Sequence, residues 1–230
     1  MKMDGLMKQF ATIILLTICS SLFGQTFDSE SKYTDSTGKS VIIQNSFPKG
    51  GGYIDGISGY TDFTGNGVIT QNSFSIGRED IGRKRGYTDS TGKNYGYAIF
   101  WTRVINETAT PLELTINFPA DSFAIFPSPA SYLKLFLPPD KMTLDKQSLY
   151  NYGITGLKSF LDTGFNKPTM LQKTINPNDE CLFYIAALSY QAGGTSRAGL
   201  VLKGQDLFYR ISIEPLGTAL IPCGQIVFKY

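Results

Sequence analysis

Residues 112–118 alternate without a break. Leu112, Leu114, Ile116 and Phe118 are apolar, while Glu113, Thr115 and Asn117 are polar. A period of two sends each set to its own face of an extended strand and fits no helix. The same vocabulary recurs to the end of the chain. Tyr97–Ile105 reads as a long strand with Ile99, Trp101, Arg103 and Ile105 on one face. Leu133–Leu137 is stopped by Pro138 and Pro139, and Met170–Ile175 runs into the turn Asn176-Pro177-Asn178-Asp179. Cys181–Leu188 is apolar throughout, as a central strand covered on both faces would be. Leu200–Lys203, Leu207–Ile213 and Gln225–Lys229 complete about seven strands in roughly 135 residues. The exception is residues 143–164. There Thr143 can cap a short helix reaching about Tyr152, Gly153 follows its end, and Gly156–Leu161 adds a turn.

Strand count, turn spacing and Pro/Gly punctuation predict an all-β chain: an immunoglobulin-like β-sandwich over 96–230, with one short helical insertion. The stretch Arg103–Pro119 (RVINETATPLELTINFP) resembles the strand–turn–strand opening of bacterial immunoglobulin-like modules. Ile175–Leu188 (INPNDECLFYIAAL) resembles their later polar turn and core strand. The resemblance implies a fold and carries no activity with it.

Upstream, three segments copy one another: YTDSTGKSVIIQNSF (33–47), YTDFTGNGVITQNSF (60–74) and YTDSTGKNYGYAIF (87–100). Tyr33, Tyr60 and Tyr87 are 27 residues apart in both steps, which indicates tandem duplication over residues 25–95. Asp35, Asp62 and Asp89 open each turn, where a short carboxylate accepts backbone N–H groups. Gly38, Gly65 and Gly92 follow three residues later, where the turn calls for positive φ. Each copy is therefore expected to be a β-hairpin. The Tyr-x-Asp-x-x-Gly-Lys turn before an apolar strand resembles tandem WG-type β repeats, over residues 33–95 only. The period is shorter here, the Trp-Gly pair is missing, and no function comes across with the likeness.

Residues 1–24 predict an export signal. Lys2 and Lys8 precede the uncharged run FATIILLTI, and Ser20, Ser21 and Gly24 follow, with cleavage expected after Gly24. The apolar run is too short to span a bilayer. Lipidation at Cys19 is the rival reading, and Ile18 directly before it argues against that. The expected location is periplasmic, cell-surface or secreted, with no membrane span after signal removal. A transmembrane barrel fits poorly, since Cys181–Leu188 has no polar face.

Charge and composition remove several function classes. The net charge of +2 gives no field for nucleic acid, and Arg83-Lys84-Arg85 is partly cancelled by Glu79 and Asp80. The chain contains no histidine, which removes Ser-His-Asp and Cys-His catalysis and His-ligated zinc. One carboxylate per repeat turn is far too few for Ca²⁺. No cofactor and no metal are expected. Cys181 and Cys223 are either one disulfide or two buried thiols; spacing alone does not decide. Asp-Ser-Thr at 35–37 and 89–91 resembles a bacterial O-glycosylation acceptor pattern, which makes Ser36 and Ser90 candidate acceptors.

Two functions remain. One is a non-catalytic binding or structural module for a glycan or an extracellular protein. Aromatic side chains at polar-face or loop positions would make its surface: Tyr132, Phe136, Tyr150, Tyr152 and Tyr190. The alternative is a carbohydrate-active hydrolase using a carboxylate pair, drawn from Glu107, Asp121, Asp140, Asp179, Glu180, Asp206 and Glu214.

Overall fold

A computed structural model describes residues 30–34, 38, 40–46, 86–124, 130–192, 195–214 and 216–229. Residues 1–24, where an export signal is expected, the second repeat copy (60–74), Ser36 and the stretch 78–85 lie outside the described residues. The structure is mostly β, and among the described residues the strands pair antiparallel. They are β1 (Glu30–Thr34), β2 (Ser40–Asn45), β3 (Tyr87–Thr88), β4 (Asn94–Asn106), β5 (Leu112–Phe118), β6 (Phe123–Ala124), β7 (Tyr132–Phe136), β8 (Thr169–Ile175), β9 (Glu180–Tyr190), β10 (Thr195–Lys203), β11 (Asp206–Glu214) and β12 (Gly217–Phe228).

Two sheets result. The first runs β1-β2-β4-β9-β7-β6, with β3 also paired to β4; the second runs β10-β11-β12-β5-β8. Period-two side chains from both meet in one apolar interior. The first sheet sends in Val41, Ile43, Phe100, Val104, Leu133, Leu135, Phe183 and Ile185. The second sends in Leu112, Leu114, Ile116, Phe118, Leu200, Tyr209 and Ile226. The alternating residues of β5 are fully buried, as their spacing predicts.

The first sheet is covered on its other face as well. Tyr97, Ile99 and Trp101 of β4, Phe136 of β7, and Tyr184, Ala186 and Leu188 of β9 form a second apolar cluster with Met142, Tyr152, Ile154, Leu157 and Leu161. Of these last five, Met142 just precedes the helical insertion and the others belong to it; the insertion lies over the sheet as a third layer. Burial on both faces explains why β9 lacks a polar side: odd residues Cys181 to Ala187 face one cluster, even residues Leu182 to Leu188 the other.

The insertion itself departs from expectation. In place of a short helix to Tyr152 there are two 3₁₀ turns, Leu144–Ser148 and Tyr150–Gly153, and Thr143 makes no side-chain cap bond. Asn151 and Tyr152 have positive φ, which breaks the run. The true α-helix, α1 (Leu157–Gly164), is longer than the single turn expected there and places Leu157 and Leu161 on the sheet. Leu157 and Leu161 are four residues apart and share one face of it. β12 also starts well before Gln225, because Pro222 sits at an exposed strand position and interrupts the apolar pattern without ending the strand.

The described strands of repeat copies one and three pair in the same register. Tyr33 pairs with Val41 and Tyr87 with Tyr95, so each tyrosine faces the residue eight positions on. Gly38 and Gly92 have φ of 81° and 84°, the left-handed geometry the repeat spacing calls for. The first copy is not a detached module: β2 pairs with β4 from Val41↔Asn106 to Asn45↔Thr102 and buries Val41 and Ile43 in the main interior.

Candidate functional site

One end of the first sheet gathers aromatic rings. Tyr132 opens β7 and Tyr190 closes β9, and antiparallel register sets them directly opposite each other. Their ring centroids are 5.1 Å apart. Tyr95, at the start of β4, adds a third ring 5.5 Å from Tyr190 and 6.1 Å from Tyr132. Tyr87 and Phe165 close the cluster from below, stacked 5.6 Å apart. Tyr132 and Tyr190 remain half-exposed, while Tyr87 and Tyr95 are buried.

The third repeat turn is the polar rim of this cluster. Asp89 Oδ1 accepts hydrogen bonds from the Thr91 N–H (2.8 Å), the Thr91 hydroxyl (2.7 Å) and the Lys93 N–H (3.0 Å). Its Oδ2 accepts the Tyr95 hydroxyl at 3.1 Å, and Tyr95 also shares a 3.0 Å hydroxyl contact with Tyr132. Burial pulls the Asp89 pKa up, but the bonds from Thr91, Lys93 and Tyr95 outweigh it, so the carboxyl titrates below its usual range. Burial, then the hydroxyl contact with Tyr132 and the Asp89 bond, push the Tyr95 phenol far up; the phenol of Tyr87, chiefly buried and near Asp162 and Asp89, is pushed up to about 12.

Two lysines complete the surroundings. Lys93 Nζ lies 5.3 Å from the Tyr190 ring centre. Lys134 Nζ lies 4.4 Å from the ring centre of Phe165, and the residue is buried. Burial lowers its pKa, against the attraction of Asp121 and Asp89. The arrangement leaves Tyr132 and Tyr190 partly exposed, packed against each other and against Tyr95, with the exposed Lys93 at their rim.

The other residues singled out from sequence lie elsewhere. Phe136 is buried beneath the helical layer, edge-on to Phe160, and Tyr152 is buried on that layer's inner side, edge-on to Trp101. Their faces are spent on the protein's own packing, a correction to their reading as surface residues. Tyr150 is exposed but stands apart, its hydroxyl 3.4 Å from that of Tyr97. Ser90 is exposed at the tip of the Asp89 turn.

Cys181 and Cys223 are both buried free thiols. The Cys223 thiol contacts the Leu207 carbonyl at 3.4 Å, and burial pushes its pKa up to about 12; burial raises Cys181 too, against a pull from Lys173. Thiols so held are protonated and poorly nucleophilic. Of the candidate acids, Glu180 is bound to the Arg103 guanidinium (Nε 2.7 Å away), and Glu107 pairs with Lys32 at 3.3 Å. Both bonds point to structural roles for these two carboxylates.

Sequence reading missed Tyr87, Lys93, Tyr95 and Phe165. The signal for Tyr95 was present in the repeat: it occupies the position of Val41, eight residues after the repeat tyrosine, which is an inward strand position. No protein-family model matches the chain, and no curated protein matches it in sequence. Among the described residues no helix is long and apolar enough to cross a membrane.

Proposed function

We propose that this chain is an exported, non-catalytic binding module with an immunoglobulin-like β-sandwich, and that it holds a glycan against Tyr132 and Tyr190. The observation that carries the reading is the cross-strand pair itself. Two half-exposed rings 5.1 Å apart, fixed by adjacent strands rather than by a loop, form a platform with little rotamer entropy left to lose on binding. Sugar rings present C–H faces that stack on such a surface, and their hydroxyls can meet phenols and the Lys93 ammonium at the rim. Export is supported by the charge and hydropathy pattern of residues 1–24.

The test is a glycan array probed with chain beginning at Gln25. The expected result is selective capture that falls at least tenfold in Tyr132→Ala/Tyr190→Ala, with an unchanged circular dichroism spectrum. Absence of any glycan signal overturns the reading. Recovery of a protein partner that the same double variant loses would transfer the surface to protein recognition.

A further inference from the structure

Lys134 is a buried cation with no anion in contact. It lies in the middle of β7, opposite Leu188 of β9, and shares its sheet face with Tyr132 and Phe136 on either side. A lysine in such a place ordinarily carries its charge out to water. This residue is only 8% exposed. Among the described residues its ammonium makes no hydrogen bond and no ion pair; its contact is the Phe165 ring, 4.4 Å away. The buried side-chain atoms that lack a partner and are sealed from solvent, among the described residues, are Asn151 Oδ1 and the Tyr209 hydroxyl oxygen. Lys134 Nζ is not one of them, so it still opens to solvent.

The carboxylates of this region are engaged or out of reach. Asp89 spends both oxygens on its own turn and on Tyr95. Asp162, beside Tyr87, pairs with Lys158. Asp121 attracts Lys134 without forming an ion pair with it. Burial lowers the amine's pKa against the pull of Asp121 and Asp89, so neither carboxylate offsets the lost hydration. Lys93, exposed beside the Tyr190 ring, also has no ion pair among the described residues. Two ammonium groups therefore attend the aromatic cluster, one buried and one at its rim.

Building on the glycan-binding reading, we infer that the sugar held by Tyr132 and Tyr190 is anionic and that its carboxylate or sulfate group docks on the Lys134 ammonium. Tyr132 and Lys134 stand two residues apart on one strand face, a separation of roughly 7 Å. A pyranose stacked on Tyr132 can bring an exocyclic group across that distance. The fold has already borne the desolvation of Lys134, so an arriving anion gains a charge-assisted bond without ordering a long, mobile side chain. A neutral hydroxyl in the same place makes a weaker bond, and an amino sugar meets like charge. Lysine is a point charge with rotatable donors, so planar carboxylate and tetrahedral sulfate suit it equally. Lys93 adds attraction from the rim, where solvent screens it.

The test is an array of oligosaccharides bearing glucuronate, galacturonate, sialate or sulfate, each printed beside its carboxyl-reduced or desulfated counterpart and probed with the chain beginning at Gln25. The expected result is capture of anionic members that weakens roughly ten- to a hundredfold once the charged group is removed. Which treatment weakens it tells carboxylate from sulfate. Lys134→Met keeps an unbranched apolar stem; it should erase the difference and leave the neutral counterparts bound as in wild type. Lys134→Arg keeps the charge and should keep the difference. The wild-type comparison needs no variant, so it decides even if Lys134→Met fails to fold. Equal binding of charged and neutralised forms overturns the inference, as does a difference that survives in folded Lys134→Met and vanishes in Lys93→Met. Capture of neutral glycans alone, lost in Tyr132→Ala/Tyr190→Ala, would sink the anionic ligand and leave the glycan reading standing, whereas an array with no signal at all sinks both.

Discussion

Asp89 works as an acceptor for its own turn, with three bonds to Oδ1 and one to Oδ2. Asp89→Ala should cost about 1–3 kcal/mol, measured by denaturant unfolding near pH 7. Because its folded pKa lies below that of the unfolded chain, this contribution is complete above about pH 4 and disappears as pH falls through the folded value. The gap between wild type and variant should therefore narrow on acidification, and a constant gap down to pH 2 would show that the charge is irrelevant. Tyr209 is the opposite case. Its hydroxyl is fully buried, finds no partner among the described residues, and has its pKa raised by burial and then by nearby Cys223. Its ring packs edge-on against Phe100 and Phe118, contacts that phenylalanine would keep. Tyr209→Phe should be neutral or stabilising by up to about 2 kcal/mol in the same assay; a loss above 1 kcal/mol would reveal a hidden hydrogen bond.

Among elements, β12 shows how closely strands can be forced together. Gly224 has φ of 155°, and a Cβ there would stand 1.9 Å from the Thr115 carbonyl oxygen of β5. Gly204, in the turn between β10 and β11, also has positive φ but open space around it. Gly204→Ala should cost about 1 kcal/mol from backbone strain alone. Gly224→Ala should cost roughly 3 kcal/mol or more, since backbone must move, with a fall in melting temperature to match. Equal costs would mean that the β12–β5 approach relaxes freely. Legibility in the sequence follows the same division. Period-two alternation in β5 and the Asp-to-Gly spacing of the repeat turns were readable because local sterics decide them. The early start of β12, the two 3₁₀ turns and the docking of Tyr95 under Tyr132 and Tyr190 depend on partners distant in the chain. Sequence alone marked Tyr132 and Tyr190 for their type and loop position, and equally marked Phe136 and Tyr152, because exposure is decided by which face the insertion covers.

At the scale of the whole molecule, the described residues make two apolar interiors that share the first sheet as a common wall. The larger lies between the sheets and the smaller lies under residues 142–165. Trp101 faces the smaller one, packed edge-on to Tyr152 at 6.4 Å, and no other tryptophan exists in the sequence. Intrinsic emission excited at the indole band therefore watches a single interface. Should the helical cover lift while the strands stay paired, the emission would shift to the red before the far-ultraviolet signal of the strands moved. The protein thus carries a built-in optical gauge of how firmly its outermost layer is attached.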